Sequence, residues 1–334
     1  MQQPMHSRVK ILTVMVALLA LAVATPFAGS YLILLITQAL ILAILAMSLD
    51  ILLGFTGLPS LGQAAYLGMG AYLTAILAAH YDFGLGWSFW VVILLGILIG
   101  AATAALFGLF AIRATGVYFL MITLALGMCV WGLAYRWNSM TGGDNGINLP
   151  ARPEFGIQLA DGVTYFYVVL GFFVASLVML YVLVRSPFGR SLVGIREREL
   201  RMRVLGYNTW LHKYIAFIIA GGFGGLAGVL WAHLSGNVSP QVVILATSVD
   251  ALLMVVLGGP GTLVGGAIGA GVVVFLRDYL STVVPWWQYV LGGVYVLTIL
   301  YLPGGLMGIP ERIRRWRALS GSPEETKKLE SASH

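Results

Sequence analysis

Between Arg185 and Lys213, ends included, the chain holds seven Arg or Lys and two Glu, yet neither flank, Gly162 to Val184 or Tyr214 to Val249, contains any Asp, Glu, Lys or Arg. Each flank is long enough to cross a bilayer, for which a helix needs about 20 apolar residues. No water reaches the hydrocarbon core, so backbone N–H and C=O groups there must be satisfied within the segment, and an apolar run of this length has to be helical. The charged stretch between the runs must therefore lie outside lipid. Its arginine excess assigns it to the cytoplasmic side. A basic segment held between two spans is expected to be a docking element for something soluble.

The rest of the chain fits the same class. Only 10% of residues are charged, against about 25% in a soluble domain, and 59% are hydrophobic. The alternation of a transmembrane barrel is missing. The expected fold class is all-α: a polytopic helical membrane protein with about 10 (8–10) transmembrane helices. A net charge of +6 does not point to nucleic acid, because the positives gather in the internal stretch and in the tail after Pro310, which holds six Arg or Lys. The single cysteine, Cys129, lies in an apolar run. It offers no disulfide framework or thiolate metal site and is expected to be a small buried hydrophobe.

The expected spans are 11–28, 31–53, 62–79, 89–112, 117–135, 165–184, 214–234, 246–258, 262–275 and 286–302. The first could instead be a signal peptide, since Ala22-Val23-Ala24 resembles a cleavage site; an uncleaved helix is the favoured reading. Residues 1–185 then hold helices 1–6, with an external loop at 136–163. Residues 186–212 form the docking loop, 213–302 hold helices 7–10, and 303–334 are a cytoplasmic basic tail. Positive-inside parity requires an even number of spans between the N-terminus, the basic loop and the C-terminus, and puts both termini in the cytoplasm.

Glycines recur at four-residue spacing: Gly96 and Gly100, Gly221 and Gly225, Gly224 and Gly228, Gly265 and Gly269. Small residues let helix backbones approach closely in lipid, so packing is the first reading. Glycine-rich interruptions near 54–63 and 257–266 suggest broken helices, which membranes tolerate where they line an enclosed or water-filled cavity. Candidates for the path are Ser60, Gln63, Gly68, Thr141, Gly142, Asp144, Asp250, Gly258 and Gly259. Asp50 and Asp250 lie deepest in apolar runs, where a charge usually faces a cavity or a partner. Their local sequences, Ser48–Leu53 and Ser248–Leu253, echo each other faintly.

Several chemistries lack their residues. No GxxxxGK[ST] cradles a nucleotide and no HExxH binds zinc. The five histidines are scattered, so neither a metal nor a cofactor is expected. Ionisable groups at midplane are too few for an ordinary proton-driven carrier. A secondary transporter and an intramembrane aspartyl protease built on Asp50 and Asp250 are the rival classes. In the charged loop, Ser186-Pro187 is a good helix start and Gly206 followed by Asn208 a good stop. Between them a short amphipathic helix is expected, carrying Arg196, Glu197, Glu199 and Arg203. It could dock in a partner's groove or simply anchor the loop.

GFTGLPSLGQAAYLGMGAY (54–72), IRATGVYFLMITLALG (112–127), TGGDNGI (141–147), SPFGRSLVGIRERELRMRVLGYN (186–208) and LLMVVLGGPGTLVGGAIGA (252–270) occur in this order. Together they resemble the membrane permease subunits of bacterial ABC importers for branched-chain amino acids, of the LivM type. The resemblance implies an inner-membrane importer with a second related permease, two cytoplasmic ATP-binding subunits, a periplasmic binding protein and contact with membrane lipid. It places Glu199 and Gly206 in the loop that contacts the ATPase, and makes Arg196, Glu197, Arg203 and Asn208 candidates beside them. This chain departs from the pattern at Leu200, where Ala is frequent, at Asp50, where Asn is frequent, and at Gly266, where Pro is common. Related permeases serve urea, short amides or aromatic acids, so the resemblance leaves those substrates open.

Overall fold

The computed structural model describes residues 29–81, 88–149, 162–301 and 304–308. The expected first span, most of the external loop and the basic tail lie outside the described residues. The helices are α1 (Ser30–Asp50), α2 (Gln63–Tyr81), α3 (Ser88–Ala111), α4 (Val117–Arg136), the single turn α5 (Asn138–Thr141), α6 (Gly162–Arg185), α7 (Pro187–Val204), α8 (Thr209–Ser235), α9 (Leu245–Gly258), α10 (Val264–Val283) and α11 (Trp287–Tyr301). A two-residue antiparallel ladder pairs β1 (Ile147–Asn148) with β2 (Asn237–Val238), Ile147 opposite Val238. It closes the end of the bundle opposite α7.

The fold is all-α in its bulk and that of a polytopic membrane protein. Six helical stretches among the described residues are long and apolar enough to cross a bilayer: Ser30–Thr56, Phe89–Ala111, Val117–Arg136, Gly162–Arg185, Thr209–Ser235 and Val264–Val283. Two apolar helices, Gln63–Ala79 and Leu245–Gly258, are shorter than that. Six full-length spans do not establish the expected total of about ten. Of the other expected spans, the first lies outside the described residues, two correspond to these short helices, each preceded by irregular backbone, and the last to α11, of 15 residues.

The middle of the bundle is built from α1 and α8. Helix α8 packs along α3 and α2, while α1 touches α6, α8 and α10, and α9 packs on α10. Helices α4 and α6 lie at the periphery and turn Met121, Leu133, Val178 and Met179 outward. Cys129 belongs to that outward face of α4 and is exposed, contrary to the expectation of burial. An apolar run says nothing about which side of a peripheral helix meets lipid.

Glycines set the spacing of the central helices. A Cβ at Gly225 of α8 would lie 2.1 Å from the Gly96 carbonyl oxygen of α3, and one at Gly228 would lie 2.0 Å from the Leu67 carbonyl oxygen of α2. On the other side, a Cβ at Gly269 of α10 would come within 1.9 Å of the Met254 carbonyl oxygen of α9. The regular glycine spacing is thus a packing device, as small residues in membrane helices commonly are. One boundary differs from the expectation in a way that matters: α10 does not end at Phe275 but continues to Val283. Arg277 and Asp278 are therefore interior to a helix instead of marking its end.

Candidate functional site

The charged stretch forms a helix with a break in it. Ser186 caps α7, its Oγ accepting from the Gly189 N–H at 3.3 Å, and Gly206 ends the segment at φ +88. Between them Arg198 adopts an extended conformation (φ −153, ψ 92), which divides α7 in two. The expectation of one continuous amphipathic helix is corrected accordingly. The first half buries Leu192 and Ile195 against the bundle. In the second half Leu200 and Val204 are 77% and 88% exposed, with Leu205 and Tyr207 exposed beyond them. Apolar side chains on so charged a segment, turned away from the bundle, suit the groove of a soluble partner.

Four of the expected docking residues build the corner from α7 to α8. Glu199 bonds Arg203 and Lys213 at 2.7 Å each and accepts from the Thr209 hydroxyl at 3.1 Å. Asn208 caps α8 by accepting from the Leu211 N–H at 3.1 Å, and Gly206 supplies the left-handed turn. Glu197 is exposed. Partial burial opposes ionisation of Glu199, but the bonds from Lys213, Arg203 and Thr209 outweigh it and hold the carboxyl below its ordinary range. A depressed folded-state value stabilises the corner fully above the ordinary carboxylate range, and that contribution fades as pH falls through the depressed value. Glu199→Gln should weaken the corner by on the order of 1 kcal/mol at neutral pH. Protease cleavage within 198–208 should accelerate in the variant, and the difference from the parent should narrow in acid.

Arg196 behaves differently, reaching inward instead of out. Its Nη1 donates to the Gly54 carbonyl at the end of α1, where the helix widens into a π-turn over Ile51–Thr56. Gly54 has no room for a side chain: a Cβ there would lie 2.1 Å from Asp50 Oδ1 and 2.2 Å from the Gly261 nitrogen. Asp50 is fully buried and accepts from the Gly261 N–H at 2.7 Å and the Leu263 N–H at 2.8 Å. Leu263 stands at φ +52, in the left-handed region that a branched side chain avoids. A single buried carboxylate thus fastens the glycine turn between α9 and α10 to the end of α1, and α7 grips the same place. Asp50 had no clear role from sequence. The only signal was an acid in an apolar run with a glycine one turn later.

Deeper in the bundle, residues 57–62 run as irregular backbone into α2. Side-chain hydroxyls satisfy its donors: Thr123 accepts from the Leu61 N–H at 3.1 Å, Ser60 from the Gly62 N–H at 3.2 Å, and Ser248 from the Ala64 N–H at 3.0 Å. Irregular backbone at membrane depth requires such partners. The N-terminal turns of α2 and α9 meet here, through Ala64 and Ser248. Gln63 is fully buried, and neither its amide nor the Tyr66 hydroxyl has a hydrogen-bond partner among the described residues. Sequence reasoning named Ser60 and Gln63 but missed Thr123 and Ser248, because a lone hydroxyl in an apolar run carries no signal.

The other path candidates have mainly structural surroundings. A Cβ at Gly68 would lie 2.3 Å from Val243 Cγ2, and one at Gly258 1.8 Å from the Gly265 carbonyl oxygen. Gly259 stands at φ +113 in the same turn. The Thr141 hydroxyl donates to the Ala134 and Trp137 carbonyls at 2.7 Å, Gly142 turns the chain at φ +70, and Asp144 is exposed. That turn closes α4 and delivers Ile147 to the ladder. Asp250 pairs with Arg277 at 3.3 Å. It shares no partner with Asp50, so the two aspartates do not form the dyad an aspartyl protease needs. Among the described residues no group of His, Cys, Asp and Glu could hold a metal ion.

Residues 31–300 match the family model described as the permease component of the branched-chain amino acid transport system. The chain is 34% identical over 326 residues to the high-affinity branched-chain amino acid transport system permease protein LivM of Escherichia coli, covering 90% of this chain and 76% of that one. Against LivM of Salmonella typhimurium it is 33% identical over 328 residues, with the same coverage. A probable branched-chain amino acid transport permease of Methanocaldococcus jannaschii is 28% identical, over 80% of this chain and 90% of its own. No solved structure matches the chain significantly. A bundle of apolar helices, interrupted by irregular backbone and carrying a basic segment at one end, therefore belongs to the family of branched-chain amino acid transport system permease components.

Proposed function

We propose that the chain is the membrane-spanning permease subunit of an ABC importer and forms, with a second related permease, the path by which branched-chain amino acids enter the cell. Two cytoplasmic ATP-binding subunits supply the energy and a periplasmic binding protein delivers the substrate. The protein resides in the bacterial inner membrane with both termini in the cytoplasm. The broken segments α2 and α9, the first span and α11 bring the crossings to about ten. It performs no covalent chemistry of its own.

The observation that carries this reading is the bond from Arg196 to Gly54. It joins the exposed hairpin α7 to the junction of α1, α9 and α10, so a partner that moves α7 moves the helices that enclose the break. Nucleotide can bias such an equilibrium only by binding one arrangement more tightly than the other. Here the difference would be expressed at the Leu200, Val204 and Leu205 face and passed through Arg196 to Gly54, Asp50 and Gly261.

The test is uptake of labelled leucine, isoleucine or valine into proteoliposomes containing the complete complex. Uptake should require ATP and binding protein and survive collapse of ion gradients; uptake that follows the ion gradient instead would defeat the proposal. Arg196→Ala should lower the amount of substrate moved per ATP hydrolysed roughly tenfold, the worth of about 1.5 kcal/mol for one charge-assisted bond. Arg196→Lys should recover part of it. An unchanged ratio in Arg196→Ala would remove Arg196 from the coupling route.

A further inference from the structure

Three ionisable side chains stand together on α9 and α10, none of them fully buried. Arg277 and Asp278 are interior to α10 and Asp250 belongs to α9; the side chains of Arg277 and Asp250 remain 49% and 26% exposed. Charges in membrane helices do not face lipid when an aqueous or protein-enclosed alternative exists. Arg277 and Asp278 border a groove of about 270 Å³ between α1, α9, α10 and the start of α11, and Asp250 pairs with Arg277 beside it. Its polar edge is Gln38, Arg277, Asp278 and Ser281, and its apolar wall is Leu35, Leu42, Met254, Val273 and Val274.

The charges are not used up by one another. A guanidinium has five N–H donors, and among the described residues Arg277 makes one hydrogen bond, to Asp250 at 3.3 Å, while its plane lies 5.3 Å from the Trp287 ring. Asp278 accepts from the Tyr31 hydroxyl and is otherwise half-buried. Tyr295 is within electrostatic range of Asp250 and Arg277, and its buried hydroxyl has no hydrogen-bond partner among the described residues.

We propose that this groove receives an α-amino acid: Arg277, held from behind by Asp250, takes the carboxylate, Asp278 the ammonium, and the apolar wall of Leu35, Leu42, Met254, Val273 and Val274 the aliphatic side chain. The inference rests on the amino-acid importer reading above and gives it a location. A planar guanidinium binds a carboxylate through parallel bonds. An aliphatic wall beside one arginine and one acid matches a branched zwitterion and suits neither lipid tails nor a multiply charged solute. The volume lies just below the usual range for small-ligand pockets, as a ligand of so few atoms requires.

The test compares variants in the complete reconstituted complex at saturating binding protein, with L-leucine and L-alanine as probes. Arg277→Gln should cut leucine uptake at least about tenfold while the complex still co-purifies, and Arg277→Lys should restore part of it. The double variant Asp250→Asn with Arg277→Gln keeps the local charge balanced and should remain defective. Ser281→Trp fills the edge of the groove from an exposed position and should depress leucine uptake more than alanine uptake. Full uptake in Arg277→Gln, rescue by the double variant, or dissociation of the complex in Arg277→Gln would each overturn the proposal in favour of a merely charge-neutralising pair or a subunit contact. If the unsubstituted complex itself shows no ATP-driven leucine uptake, the importer reading fails instead, so the two failures are distinguishable.

Discussion

Asp50→Ala should abolish transport and lower the thermal stability of the purified complex, in contrast to most single substitutions on the lipid-facing helices. The carboxylate accepts from the Gly261 and Leu263 N–H groups inside a fully buried junction. Removing it strands two donors where no water replaces it, at about 1–3 kcal/mol each. It also releases Leu263, whose φ of +52 is held partly by that bond, and strained backbone of this kind persists only while its surroundings enforce it. The glycine turn between α9 and α10 should then relax away from α1, and the Arg196 grip on Gly54 would no longer reach α10. Asp50→Asn keeps one acceptor oxygen but turns an amide N–H₂ toward a backbone donor, so it should fall between alanine and the parent. Melting of the detergent-solubilised complex and leucine uptake by proteoliposomes measure the two effects. If alanine melts and transports like the parent, the carboxylate does not hold the turn.

The class of this protein was plain from its charge distribution, because hydrocarbon leaves an apolar run of that length no option but helix. The ends of the basic loop were legible for a similar reason. Ser186, Gly206 and Asn208 are cap and turn residues whose roles depend on neighbours a few positions away, and each does locally what its type suggests. The break at Arg198 was not legible, since nothing at that residue distinguishes it from the arginines around it; the neighbouring Glu199 pairs with Lys213, fourteen residues on, a contact that local sequence does not report. Asp50 and Asp250 looked alike in sequence and became different objects in the fold. One caps a backbone turn, the other pairs with an arginine of the neighbouring helix. That difference arises from which helix lies opposite, and periodicity along one chain does not report it. The reading of α10 as ending before Arg277 failed on the same point. A charged pair normally marks the end of a span, but here a polar groove permits the helix to carry those charges inside it.

The glycine seam supports an equally large prediction with an internal control on the same helix. Gly225→Ala would place a methyl group 2.1 Å from the Gly96 carbonyl oxygen and 3.1 Å from Gly100 Cα. Both neighbours are backbone, so no side chain can rotate out of the way and α8 must part from α3 along their length. Overpacking a close-packed interior typically costs about 1–3 kcal/mol, and rigid backbone neighbours put this case at or above the upper end. In lipid no hydrophobic force drives the helices back together, because their exposed faces are as content against acyl chains. Gly225→Ala should therefore lower the yield of assembled complex and its melting temperature, and Gly225→Leu should prevent assembly. Gly222 sits on the same helix, but a Cβ there would meet Ile97 Cγ2 at 3.5 Å, an ordinary contact with a side chain. Gly222→Ala should accordingly leave assembly near that of the parent. Size-exclusion profiles and melting curves of the three variants, expressed side by side, make the comparison. Equal behaviour of Gly222→Ala and Gly225→Ala would mean that α3 and α8 do not approach as closely as the seam requires.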